Sequence, residues 1–348
     1  KTLKVEDLIE NPQSEILKNA AQEAKIGQSH PAIALPDNLY GALRANSFGL
    51  DLANDQDLIS LNNTAQNLYQ QQWQAQPLGK NLTLENAALD TSLAPIAILN
   101  PAQHSDIVGY VHEASTAQVN QALENAAHAQ MDWTATAKNE RAACLQRAAD
   151  MMQARLAELI VLLCRESGKT AANAIAEIRE AIDFLRYYAA QILDLDHDTL
   201  IQPLGTVLCI SPWNFPLAIF TGQISAALAA GNTVIAKPAE QTPLIAALAI
   251  QILWQAGIPK DVVQLLPGQG ETVGAQLTAD ARIQGILFTG STEVAKILQN
   301  TLAQRLSHSG QPITLIAETG GQNAMIVDSS ALTEQVVLDV VSSAYDSA

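Results

Sequence analysis

Four short stretches carry side chains that could act on a small molecule. In Ser211-Pro212-Trp213-Asn214-Phe215-Pro216 an amide sits between two prolines. Each proline fixes its own φ and restricts the residue before it, so Asn214 has a stiff backbone from which to aim a donor. A positioned amide is what a developing oxyanion needs, and losing one costs about 3 to 4 kcal/mol of transition-state stabilisation. The same string also suits a rigid turn packed by two aromatics, because Asn and Pro are ordinary turn residues. Lys237-Pro238-Ala239-Glu240 sets a cation and a carboxylate three residues apart, suited to the hydroxyls of a sugar or to a solvated strand exit. Thr289-Gly290-Ser291-Thr292 offers hydroxyls and a Cβ-free approach to a phosphate, and equally reads as a helix N-cap. In Glu318-Thr319-Gly320-Gly321 two glycines leave room beside a carboxylate for general-base work on a water.

The elements that must position these groups are short apolar strands alternating with helices. Thr206 to Ile210 reads as a buried strand, Ile219 to Ala230 as a helix stopped by Gly231-Asn232, and Thr233 to Ala236 as a second strand. Two strands around one helix require a parallel crossover, and ligands of such sheets collect at the carboxyl edge. Further strands at Val262 to Leu266, Gly285 to Phe288 and Ile313 to Ala317 lead into the remaining polar stretches. After the first of them, Gly268-x-Gly270-x-x-x-Gly274 is one residue longer than the usual dinucleotide fingerprint and lacks its acidic partner. Alone it is also a flexible strand-to-helix turn.

Upstream, Pro95 to Leu99 and Ile107 to Val111 are short apolar runs around Asn100-Pro101. Helices are expected at Thr116 to Ala129, at Asn139 to Glu166 with an apolar stripe from Leu145 to Leu163, and at Thr170 to Leu193. The charges of the last, Glu177, Arg179, Glu180, Asp183 and Arg186, read as a solvated face of paired residues. Before these, Lys4 to Gln28 has helical spacing ended by Pro31 and Pro36, and Asp51 to Gln76 reads as one helix around Leu58, Leu61 and Leu68. The expected organisation is α/β: an arm over residues 1–95 packed on a Rossmann-like parallel sheet flanked by helices over 96–330, with 331–348 opening a further domain.

In that order, Pro212-Trp213-Asn214-Phe215-Pro216, Lys237-Pro238-Ala239-Glu240, Phe288-Thr289-Gly290-Ser291-Thr292-Glu293 and Glu318-Thr319-Gly320-Gly321 resemble the aldehyde dehydrogenase superfamily. The likeness runs from about Ile96 to Ala348. Asp183 to Ala189, Glu318 to Ala331, and Leu39-Tyr40-Gly41 with Arg44, Asn46-Ser47 and Gly49 to Leu52 narrow it. They resemble the glutamate semialdehyde dehydrogenase half of the bifunctional proline utilisation flavoproteins. The resemblance implies oxidation of glutamate semialdehyde, the open form of pyrroline carboxylate, to glutamate with NAD. It implies Asn214 for the oxyanion, Glu318 as the base, Lys237 and Glu240 for the adenosine ribose, and Gly290 and Ser291 for the pyrophosphate. Ser211, Pro212, Trp213, Gly270, Gly274, Thr319 and Gly320 complete the expected cofactor contacts. Thr319 stands where Leu is more usual in the superfamily, a departure that agrees with the semialdehyde branch. FAD enters only if a proline dehydrogenase half precedes Lys1.

Composition agrees with a sizeable core: 348 residues, 48% hydrophobic and 16% charged. A net charge of −16 opposes binding to nucleic acid or an anionic membrane, so a dinucleotide site must be locally favourable. No signal peptide or long apolar span is read in the sequence. Three cysteines without a disulfide pattern suggest a reducing compartment, the cytoplasm, and the six histidines show no metal-ligand pairing. The superfamily attacks its aldehyde with a cysteine thiolate. Cys144 and Cys164 fall in a helix and Cys209 in a strand, away from that place. The expected nucleophile belongs to a Gly-Gln-x-Cys stretch beyond Ala348, and Lys1 in place of Met suggests a start inside a longer product, one that the resemblance makes a homo-oligomer. The alternatives are a dehydrogenase of another aldehyde, or a non-catalytic dinucleotide-binding or interaction protein.

Overall fold

The computed structural model describes residues 9, 11–23, 33–82, 94–195 and 202–346. The chain divides into two units, Lys1–Asn46 and Ser47–Ala348. In the first, helix α1 (Pro12–Glu23) is the described part of the expected Lys4 to Gln28 helix, whose remaining residues, apart from Ile9 and Asn11, lie outside the described set. A 3-10 turn at Pro36–Asn38 is tied by the Asn46 side chain, which donates to the Pro36 carbonyl at 2.9 Å.

The second unit begins with helix α2 (Asp55–Leu68), whose Asn54 cap accepts from the Gln56 N–H. It ends earlier than its apolar spacing suggests, because Trp73–Ala75 becomes strand β1. Strands β2 (Ile96–Asn100) and β3 (Gln103–Val111) form the antiparallel pair, and β1 joins β3 in parallel. Gly109 is required there, since a Cβ would strike the Trp73 carbonyl. Four helices follow: α3 (Thr116–Ala135), α4 (Lys138–Ala154), α5 (Leu156–Ser167) and α6 (Ala171–Asp194). The single helix expected over 139–166 is two. At Arg155 the backbone leaves the helical range (φ −103°, ψ 19°), and its guanidinium holds Glu158 at 2.8 Å in the first turn of α5.

The main sheet alternates β4 (Thr206–Ile210), α7 (Ala218–Ala229), β5 (Thr233–Lys237), α8 (Pro243–Gln255) and β6 (Val263–Leu265). A π turn over Gly270–Gly274 leads to α9 (Ala275–Ala279), then β7 (Ile283–Gly290), α10 (Thr292–Leu302), β8 (Thr314–Thr319) and α11 (Thr333–Tyr345). All five strands are parallel, in the order β6-β5-β4-β7-β8. Both faces are covered, so the central strands are apolar between the buried Thr206 and Thr233 at their starts and Lys237 at the exit of β5. Alternation along β4 and β5 separates two cores. Val207, Cys209, Val234 and Ala236 face α4 to α8, while Leu208 and Ile235 face Val119, Leu123 and Leu277. Leu78 bridges Leu265 and closes the β6 edge, whereas β8 at the other edge leaves Ile316 52% exposed and α11 buries no residue. No helix among the described residues is long and apolar enough to cross a membrane.

Gly168 ends α5 at φ +70°, and a Cβ there would sit 2.9 Å from Pro101 Cγ. Gly168→Ala is expected to lower the unfolding free energy by about 1–2 kcal/mol from the left-handed backbone alone. Urea denaturation at fixed pH reads the change, and an unaltered midpoint would contradict it.

Candidate active site

The polar stretches converge along the carboxyl edge of the sheet. Ser211 follows β4 and donates its N–H to the Lys237 carbonyl at 3.3 Å, tying the two strand exits together. Beyond it the proline-bounded loop leaves Trp213 50% exposed and Asn214 half-buried. Two residues of the preceding helical layer fix this loop. Glu177 is buried and its Oε1 accepts from Leu217 N at 2.8 Å and Ala218 N at 3.3 Å, capping α7. Lys169 Nζ lies 3.1 Å from Glu177 Oε2 and 4.4 Å from the centroid of the Phe215 ring. Burial pushes the Glu177 carboxyl up, against the two N–H donors and the Lys169 charge.

At the end of β5, Lys237 is buried and donates to Glu240 Oε1 at 3.0 Å and to the Pro238 carbonyl at 3.2 Å. Burial works to raise the Glu240 carboxyl, but the Lys237 ammonium, with backbone N–H groups of Glu240 and Gly270, outweighs it and holds it below its ordinary value. The glycines of the longer fingerprint border this pair. A Cβ on Gly274 would meet Lys237 Cε at 3.4 Å, and one on Gly270 would lie 3.9 Å from Glu240 Oε1.

Strands β7 and β8 run further than their apolar residues do. Thr289 pairs with Glu318 and Gly290 with Thr319, so these four are strand residues at the edge rather than loop residues beyond it. Ser291 caps α10, its Oγ accepting from Val294 N at 3.2 Å and leaving the hydroxyl proton to donate outward. A Cβ on Gly290 would press to 2.6 Å from Phe288 Cζ. Glu318, Thr319 and Gly320 are exposed. Asn214 thus follows β4 and Glu318 lies in β8, two strands separated by β7 alone.

The profile of the aldehyde dehydrogenase family matches residues 89–348. The chain belongs to the aldehyde dehydrogenase family. It is 58% identical over 347 residues to the bifunctional protein PutA of Salmonella typhimurium, covering 100% of this chain and 26% of that one. It is 36% identical to 1-pyrroline-5-carboxylate dehydrogenase 2 of Bacillus subtilis over 77% of this chain and 55% of the enzyme. The crystal structure of a Thermus 1-pyrroline-5-carboxylate dehydrogenase with bound NAD superposes with a TM-score of 0.79 at 34% identity, over 86% of this chain and 60% of that one. The chain therefore spans about a quarter of the length of PutA.

In this aldehyde dehydrogenase chain, two helix N-termini at the sheet edge are already filled by its own carboxyl groups. Glu177 serves α7, and the fully buried Glu166 serves α8, accepting from Leu244 N at 2.6 Å and Ile245 N at 2.9 Å. A phosphate drawn to a helix end meets the neutral Ser291 cap of α10 instead. Of the α6 charges, Glu177 (1% exposed) and Arg186 (8% exposed) depart from the solvated face that their sequence suggests, while Glu180 stays exposed. Glu177 stands three residues after the buried Ala174 and four before the buried Ala181, so its place on the apolar stripe was the signal for burial. Gln223, an uncharged residue within an apolar helix, gave none.

Proposed function

We propose that this chain is the cofactor-binding part of an NAD-dependent 1-pyrroline-5-carboxylate dehydrogenase, which oxidises glutamate semialdehyde to glutamate in proline catabolism. The observation that carries the reading is the row of polar exits along one sheet edge. Asn214 follows β4, Lys237 and Glu240 follow β5, Ser291 follows β7, and Glu318 sits near the end of β8. The residues present fit a dinucleotide: Ser211 Oγ is buried without a partner, and the glycines at 270 and 274 leave beside Glu240 and Lys237 the gap that a Cβ would fill. Lys237 and Glu240 would hold the adenosine ribose and Gly290 with Ser291 the pyrophosphate. Ser211, Pro212, Trp213, Thr319 and Gly320 would line the rest. When bound, NAD would supply the hydride acceptor for the substrate carbon after a thiol has added to it. Asn214 donates to the aldehyde oxygen as negative charge develops on it, and Glu318 takes a proton from the water that releases the acid.

The attacking thiol comes from outside these residues. Burial pushes the Cys144, Cys164 and Cys209 thiols up, the opposite of what a thiolate nucleophile needs. The likeness to the bifunctional protein PutA, of which this chain covers 26%, supports a longer parent; an FAD-dependent proline dehydrogenase half, a cytoplasmic place and a homo-oligomeric state belong to the same proposal.

Calorimetric titration of the 348-residue chain tests the reading without turnover. NAD is expected to bind, with NADP at least about tenfold weaker because the ionised Glu240 repels a 2′-phosphate, a difference of about 1.4 kcal/mol. Lys237→Met should weaken NAD by about ten- to a hundredfold, as loss of a hydrogen bond from a charged group does. Absence of NAD binding to the unmodified chain would reject the proposal, and NADH formation from NAD and the semialdehyde would reject the account of the thiol.

A further inference from the structure

Gln223 lies in the second turn of α7, beneath the exits of β4 and β7. Its Nε2 donates to the Ile210 carbonyl at 3.2 Å and to Thr289 Oγ1 at 3.1 Å. It therefore ties together the two strands whose following loops carry Asn214 and Ser291. The residue is 9% exposed, and its Oε1 is buried with no hydrogen-bond partner. The amide cannot be turned the other way, because the Ile210 carbonyl only accepts and must face the nitrogen. An amide oxygen fixed in this way and left without a donor loses the hydration it had in the unfolded chain, and such orphans are rare in folded proteins.

Three other features of the molecule carry less. The 610 Å³ cavity at the amino edge of the sheet is lined by polar groups that already have partners. There Gln284 donates to Ala281 and accepts from His308, Gln130 is saturated by Thr134, Gly231 and Thr233, and Arg282 is held by Asp280. The apolar face of β8 and α11 offers nothing to say what covers it, and Glu166 spends both oxygens on α8.

We infer that Gln223 is a positioning residue whose Oε1 accepts a hydrogen bond from the primary amide of the nicotinamide. The inference rests on the NAD reading above. With the pyrophosphate at Gly290–Ser291 and the reacting carbon near Asn214, the ring must cross the ends of β4 and β7, where Gln223 Oε1 is the acceptor in want of a donor. The carboxamide is the one substituent of that ring with N–H groups. Its capture would fix the rotation of the ring, and with it the face presented to the aldehyde.

The test compares NAD with its 3-acetylpyridine analogue, which keeps the carbonyl and replaces the amide nitrogen by a methyl group. In the unmodified chain, titration calorimetry should give NAD the tighter binding by about five- to tenfold, the worth of one net hydrogen bond. Gln223→Lys retains donors toward Ile210 and Thr289 and has no acceptor. In that variant the preference should fall to about twofold or less, with the thermal midpoint within a few degrees of the parent. A preference unchanged in the folded variant, or absent in the unmodified chain while NAD still binds, overturns the role of Gln223 and leaves the NAD reading standing. Failure of both dinucleotides to bind overturns both.

Discussion

Glu177→Ala should lower the unfolding free energy by about 3–5 kcal/mol and loosen the loop that holds Asn214, because removing one partner strands a buried charge. The side chain is wholly buried, Lys169 is only 9% exposed, and α7 depends on Glu177 for two of its first N–H groups. Loss of the carboxyl leaves those N–H groups and the Lys169 ammonium without their acceptor, beneath Phe215. Glu177→Gln keeps an acceptor for the helix and removes only the charge, so its loss should be about half as large. Lys169→Met combined with Glu177→Gln removes both charges and should recover part of that loss, as replacing a buried pair commonly does. Urea denaturation measures the order of the three. Equal losses for the Ala and Gln variants would refute the ion-pair account. In the longer dehydrogenase proposed above, the Ala variant should lose kcat more than it raises KM if the loop positions Asn214 as a transition-state donor.

Stability should also fall as pH rises from about 4.5 to about 8, because of Glu166. Burial raises its carboxyl from 4.5 to about 8, against the N–H groups of Leu244 and Ile245, which lower it. No ion pair among the described residues offsets it. Since the folded pKa lies above the unfolded one, the folded state holds the proton more tightly. The contribution is therefore complete below the unfolded value and is lost as pH climbs through the folded one. At about 1.4 kcal/mol per pH unit, the loss across that window reaches about 4–5 kcal/mol as an upper bound. Glu166→Gln should flatten this dependence, whatever it does to the absolute value. Denaturation midpoints at pH 5, 6, 7 and 8 decide it, and parallel curves for the two proteins would refute the assignment.

The sheet was legible because strands buried on both faces read as short runs rich in β-branched and apolar residues. Thr206–Ile210 was read to its observed ends for that reason. The polar tails were not, since Thr289, Gly290, Glu318 and Thr319 enter β7 and β8 through pairing across strands, which no local pattern records. The same holds for Trp73–Ala75, three residues made into a strand by Gly109 and its neighbours. The division at Arg155 was hidden because both helices continue one apolar stripe and neither glycine nor proline marks the join. The four motifs gave the fold family and the edge on which chemistry would occur. The supports beneath them were less legible: Glu177 shows its burial only through its place on the apolar stripe, and Lys169 and Gln223 show theirs only once their partners are known.

The β8 edge has a colloidal consequence. An open strand flank with Ile316 exposed lies in the same chain as the bared Val337 and Leu338 of α11, and such a flank invites another strand to add to it. What holds copies of the chain apart is the long-range repulsion of a net charge of −16. That repulsion reaches about 10 Å at 0.1 M salt and about 3 Å at 1 M, while the attraction of apolar surface is strengthened by salts such as sulfate. Added electrolyte therefore acts on the two sides of the balance in the same direction, so dilute, low-salt solution is the condition in which single copies persist.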